Sequence, residues 1–206
     1  MIHIDPQPEP PHFDARVRTR GMKFLARHPN PTKNQWKSHD YWTEVLESLY
    51  TEYKGICAYS CHWIAPDTGS RTVEHFHPKS KFPPMAYEWS NYRLVCLTLN
   101  RQKGIQPLLD PFEIGDGWFI IDFPSLLVKP SSEINVELQK KVSDTIAILG
   151  LNDEGTCMKN RLRYVRDYCE YLINFQFMRR DAPFLARELH RQDLSELVVL
   201  RRVMGY

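Results

Sequence analysis

The chain has 206 residues, 42% of them hydrophobic and 25% charged, with 10 Tyr, 10 Phe and 5 Trp. That composition suits a folded globular chain with a real core and excludes a disordered or collagen-like one. The formal net charge of +2 makes no bulk case for a nucleic-acid or membrane-surface partner, so charge has to be read locally.

Residues 1–11 lack a basic region followed by an apolar run, so no signal peptide is expected. No stretch approaches the ~20 apolar residues of a membrane span. The cysteines are Cys57, Cys61, Cys96, Cys157 and Cys169. An odd number without a secretory signal points to reduced thiols and a cytoplasmic setting rather than a disulfide framework.

Residues 1–35 carry Pro6, Pro8, Pro10, Pro11, Pro29 and Pro31. Proline fixes φ and removes a donor, so an extended arm is expected, with one helical turn at residues 21–25. From Ser38 or His39 onward, Trp42, Val45, Leu46, Leu49 and Tyr53 recur at helical spacing before Gly55. This predicts a helix over 38–53. Residues 56–64 and 70–76 read as two short strands around the Pro66-Asp67-Thr68-Gly69 turn. A loop with Pro78, Pro83 and Pro84 leads to a short extended or helical stretch at 92–96. A short helix over 97–103 is then stopped by Gly104.

In residues 107–130, Asp116-Gly117 and the alternating run 118–123 predict a two-stranded hairpin. Beyond residue 136 the pattern is helical. Val142, Ile146 and Leu149 form one stripe before Gly150; Leu162, Val165, Cys169, Leu172 and Ile173 form a second. Two more lie over 184–190 and 194–203. The expected organisation is α+β: an arm (1–37), a core (38–110), and a hairpin with a helical extension (111–206), all in one compact body.

The chemistry concentrates in the core. Between Arg71 and Gly104, six Lys or Arg stand against Glu74 and Glu88, so this stretch is locally basic. It contains Glu74-His75, then Pro78-Lys79-Ser80, then Asn91, and finally Asn100-Arg101-Gln102-Lys103-Gly104. An acidic residue beside a histidine at a strand end sets a metal donor next to a base. An imidazole titrates near neutral pH, and oxygen donors suit a hard divalent ion. Taken singly, each has a plain reading. A lone His is more often a hydrogen-bonded structural residue, and Asn91 is also a turn residue. His77 caps its loop as readily as it supports substrate, and Tyr87, Trp89 and Tyr92 are packing residues first. The helical cluster Lys159, Arg161, Arg163 and Arg166 reads as a solvated face before a nucleic-acid groove, as do Arg179-Arg180 and Arg201-Arg202.

The order of these residues resembles the HNH endonuclease family over residues 56–104. The family pairs an acidic residue with His (here Glu74, His75), follows with Pro and often a basic residue and Ser (Pro78, Lys79, Ser80), then an Asn before an apolar run (Asn91, Leu94, Val95). It closes with Asn or His before a basic residue on a helix (Asn100, Arg101, Lys103). The resemblance implies a ββα-metal core with a catalytic set of His75, Asn91 and Asn100. His75 acts as general base, and Glu74 and Asn100 ligate Mg²⁺ or Mn²⁺. Asn91 orients the loop that carries His75, and Lys79, Arg93, Arg101 and Lys103 contact phosphates. The implied substrate is nucleic acid, DNA ahead of RNA. Two departures stand out. The family's usual Asp is Glu74, one methylene longer. The paired Cys-x-x-Cys motifs that hold zinc in many relatives are incomplete, with Ser60 and Leu99 where cysteines would stand. A residual site from Cys57, Cys61, His62 and Cys96 is one reading, and buried apolar thiols the other.

The N-terminal Pro-x-Pro-Pro-x-Phe (Pro8, Pro10, Pro11, Phe13), the Ile-Cys-Ala-Tyr entry and the helical C-terminal half resemble HNH components of bacterial anti-phage systems, such as the Septu nuclease subunit and its retron-associated relatives. This implies an ATPase partner of the ABC or SMC type. Two other roles remain: a catalytically degenerate HNH-fold scaffold of such a complex, or a toxin-like nuclease with an immunity partner.

Overall fold

The structure, a computed structural model, describes residues Met1–Tyr206. The class is α+β, with helices and two small antiparallel sheets. The chain divides into two compact units: residues 5–55 with 64–105, and residues 1–4 with 56–63 and 106–206. No helix is long and apolar enough to cross a membrane.

In the unit of residues 5–55 and 64–105, the expected arm is largely helical. A π-helical turn at Asp14–Arg18 continues directly into α1 (Thr19–Arg27). The dense prolines stop at Pro11, so nothing interrupts the helix that follows. Phe13, Val17, Gly21, Phe24 and Leu25 recur at helical spacing and are buried. Phe13 packs edge-on against Trp89 and Tyr92, both at 5.7 Å. α2 (Lys33–Ser38) starts at a reciprocal cap: Gln35 N–H donates to Thr32 Oγ1, and Thr32 N–H donates to Gln35 Oε1. The expected helix over 38–53 therefore forms in pieces. α2 precedes it, a 3-10 turn covers Tyr41–Val45, and α3 (Leu46–Glu52) follows. Lys54 and Gly55 end it with positive φ.

The expected strand at 56–64 does not form. Cys61 N–H bonds back to Cys57 C=O at 2.8 Å, and one bridge, Ile56 to Trp63, closes the turn. β1 (Arg71–His75) pairs instead with β2 (Tyr92–Cys96), antiparallel, with His75 opposite Tyr92 and Glu74 opposite Arg93. α4 (Leu97–Lys103) follows without a linker and ends at Gly104, whose φ is 52°. Both α3 and α4 pack on β1 and β2.

In the other unit, β3 (Phe119–Asp122) and β4 (Leu127–Pro130) form the expected hairpin. Its turn lies at residues 123–126, past the Asp116-Gly117 pair, and contains a cis Phe123–Pro124 bond. Helices α5 (Val136–Ile148), α6 (Lys159–Cys169), α7 (Phe175–Asp181), α8 (Pro183–Arg191) and α9 (Leu197–Met204) complete it. α7 has no sequence stripe of its own; its start is fixed by Asn174, whose side chain accepts from Phe177 N–H. Arg161, grouped by sequence with a solvated face, is buried. Its guanidinium donates to the carbonyls of Leu126 and Leu151.

Candidate functional site

The site is built on β1 and α4. Alternation along β1 puts Thr72 and Glu74 on one face and Val73 and His75 on the other. Asn100 Nδ2 donates to Thr72 Oγ1 at 2.9 Å, and Thr72 Oγ1 donates to Val95 C=O at 2.8 Å. Those bonds set the phase of α4. Lys103, three residues further on, lies on the same helix face. Its Nζ reaches Glu74 Oε1 at 2.6 Å and donates to the carbonyls of His75 and Phe76 at 3.1 and 3.0 Å.

His75 ends β1. Its Nε2 lies 3.0 Å from Ala86 C=O. A carbonyl only accepts, so Nε2 carries the proton and Nδ1 keeps its lone pair. Trp42 meets the imidazole edge-to-face at 4.7 Å. Burial first, then the charge of Lys79, pulls the His75 pKa from 6.5 to about 3. The ring is neutral at physiological pH and can accept a proton, though the lowered pKa makes it a weaker base than a free imidazole.

Asn91 fixes the loop between His75 and β2. Its Oδ1 accepts from His77 N–H at 2.7 Å, and its Nδ2 donates to the carbonyls of His77 and Met85 at 3.1 and 2.9 Å. It is buried and touches backbone, so within the expected catalytic set it is a positioning residue.

Glu74, His75 and Asn100 line one cavity of about 680 Å³. Pro78, Lys79 and Ser80 of the loop add to its wall, as do Lys33, Lys37, Asp40 and Trp42 from the N-terminal half of the unit. The Lys79 ammonium sits 5.0 Å from the centre of the Trp42 ring. Burial holds its pKa below the usual lysine range. The sequence reading missed Lys33 and Lys37 because it placed residues 1–37 in an arm. The Thr32-x-x-Gln35 capping box was the available signal.

Two expected phosphate contacts are corrected. Arg93 is 3% exposed, donates to the carbonyls of Ser90 and Tyr92, and lies over the Phe76 ring. Lys103 is fully buried on Glu74 and two carbonyls. Both are internal braces. Lys79 borders the cavity, and Arg101 is exposed on α4. Of the residues of the residual zinc site, Cys57, Cys61 and His62 lie in one compact unit and Cys96 in the other. Cys57, Cys61 and His62 are buried, and the His62 ring lies 5.7 Å from Tyr164.

No family model matches the chain, and no curated protein matches it.

Proposed function

We propose that this cavity is the active centre of a metal-dependent phosphodiesterase of the HNH type, acting on nucleic acid. The observation that carries the proposal is the convergence of Glu74, a neutral His75 and Asn100 on one lysine-bordered cavity, from the end of β1 and from the helix that follows its antiparallel partner β2.

The donor set fits a hard divalent ion. Glu74 and Asn100 offer oxygen, which suits Mg²⁺ or Mn²⁺. The Asn100 amide nitrogen is committed to Thr72, which leaves Oδ1 to ligate. Glu74 shares one oxygen with Lys103. A carboxylate offers about four lone-pair sites, so an ion and an ammonium both fit. Bound there, the ion would supply Lewis acidity to the phosphodiester.

The chain's own residues do the rest. His75 Nδ1 takes the proton of the attacking water, while Ala86 C=O keeps the ring in the required tautomer. Lys79 offers charge to the phosphate, and Asn91 holds the loop that follows His75 and carries Lys79. The anti-phage setting, with an ATPase partner, belongs to the same proposal. It rests on the resemblance of the N-terminal layout of Pro8, Pro10, Pro11 and Phe13 to those systems.

The test is hydrolysis by the full chain, with Mg²⁺ or Mn²⁺, of plasmid DNA, RNA and the small diester bis(4-nitrophenyl) phosphate. The small diester requires no partner to present it. His75→Ala should lower the rate by about 10²–10⁴-fold with an unchanged circular dichroism spectrum. Equal rates for the two proteins on every substrate would overturn the assignment and favour a non-catalytic scaffold.

A further inference from the structure

Lys33 and Lys37 are one helical turn apart on α2, and both line the cavity that holds Glu74, His75 and Asn100. Both are exposed, and neither has an ion-pair partner. Like charges at i and i+4 repel and disfavour a helix, and α2 has only six residues over which to offset that. The carboxylate nearest in sequence that lines the same cavity is Asp40. Glu74, which also lines the cavity, is already matched by Lys103 at 2.6 Å. The part of the lining around α2 therefore carries two lysines against one carboxylate, a net positive charge on the cavity that also holds the proposed reaction centre and Lys79.

We infer that Lys33 and Lys37 form a second anion subsite, which holds a backbone phosphate flanking the scissile one, so that the cavity takes an internal stretch of a polynucleotide strand. This rests on the phosphodiesterase proposal for the same cavity. A mononucleotide or a small diester carries one phosphate and engages the His75 side alone. A strand carries phosphates on both sides of the bond to be cut, and the two α2 lysines offer charge to one of them. Trp42, which also lines the cavity, offers an apolar surface to the intervening sugar and base. Backbone phosphates are alike in DNA and RNA, so the subsite itself reads charge spacing, not sequence.

The experiment compares the full-length wild type with Lys33→Gln/Lys37→Gln and Lys33→Arg/Lys37→Arg. Binding of fluorescent 30-nucleotide DNA and RNA strands, and of the DNA duplex, is followed by anisotropy over a salt series. kcat/KM is measured on the same strands and on bis(4-nitrophenyl) phosphate. The Gln pair should weaken strand binding about tenfold and flatten the salt dependence by one to two units of slope, with the Arg pair restoring both. Its loss of kcat/KM on strands should exceed its loss on the small diester by at least tenfold. The three nucleic acids show which form the subsite accepts. Strand binding and salt slope equal to wild type in the Gln pair would overturn the subsite, even if His75→Ala still abolished hydrolysis. Wild type that binds none of the three would overturn it too. Loss of binding in the Gln pair, with no hydrolysis by wild type on any substrate, would leave the subsite standing and remove the phosphodiesterase.

Discussion

Lys103 Nζ lies 2.6 Å from Glu74 Oε1, and the two side chains are 0% and 2% exposed. The ammonium also caps the carbonyls of His75 and Phe76. One lysine therefore ties the end of β1, the start of the loop after it and the helix that closes the site.

Removing that ammonium takes one partner from a buried carboxylate and from two carbonyls. Lys103→Met should cost about 3–5 kcal/mol in urea unfolding at neutral pH. Glu74→Gln/Lys103→Met should recover part of that loss, because the buried negative charge is removed together with the ammonium that faces it. A loss under about 1 kcal/mol for the single variant would mean that the pair is solvated like a surface salt bridge.

The pairing also marks where sequence reading stops. The helix over 97–103 and its stop at Gly104 are local features, set by apolar spacing and a positive-φ position, and they were legible. The partner of Lys103 was not. A lysine before a glycine is usually at a surface, and only the phase of α4 against β1, fixed by the Asn100–Thr72 bond, turns it inward. Arg93, also expected at a surface, is turned inward on β2 against the carbonyls of Ser90 and Tyr92 and the Phe76 ring. The partner strand of β1 was also hidden, because the nearer segment 56–64 has adequate strand composition and only its tight turn at Cys57–Cys61 prevents pairing. Among the site residues, Glu74, His75 and Asn100 were legible from order alone, while Lys33 and Lys37 were lost behind the proline count.

Asn91 makes three hydrogen bonds to backbone on both limbs of its loop. Asn91→Ala leaves His77 N–H and two carbonyls without this partner. The cost should be about 3 kcal/mol. Amide exchange at His77 should accelerate to match. Native-like protection of that amide in the variant would show that the clamp is dispensable.

Gly21 is required by contact. A Cβ at that position would lie 2.0 Å from Tyr87 Cγ and 2.2 Å from Cδ2. Tyr87 has little room to retreat, being 0% exposed with its O–H donating to His39 C=O at 2.8 Å. Gly21→Ala should therefore destabilise by about 1–3 kcal/mol or more, although alanine is the better helix former by about 1 kcal/mol. A stabilised variant in thermal unfolding would show that α1 and Tyr87 are not in contact.

His62 gives the second unit a pH dependence of its own. It is 7% exposed, and burial, followed by the nearby charge of Arg161, pulls its pKa from 6.5 to about 3. The unfolded chain therefore takes up a proton below pH 6.5 that the folded chain refuses. The contribution to stability is complete above that pH and is lost as the pH falls toward 3. The slope for one such group approaches about 1.4 kcal/mol per pH unit inside the window. His75 and the carboxylates also titrate on acidification, so the measurement must isolate His62. Urea unfolding of wild type and His62→Gln at several pH values between about 7 and 5 does so. The stability difference between them should narrow by about 1 kcal/mol per pH unit below 6.5. A difference that stays constant across the series would mean that His62 takes up its proton in the folded state as readily as in the unfolded one.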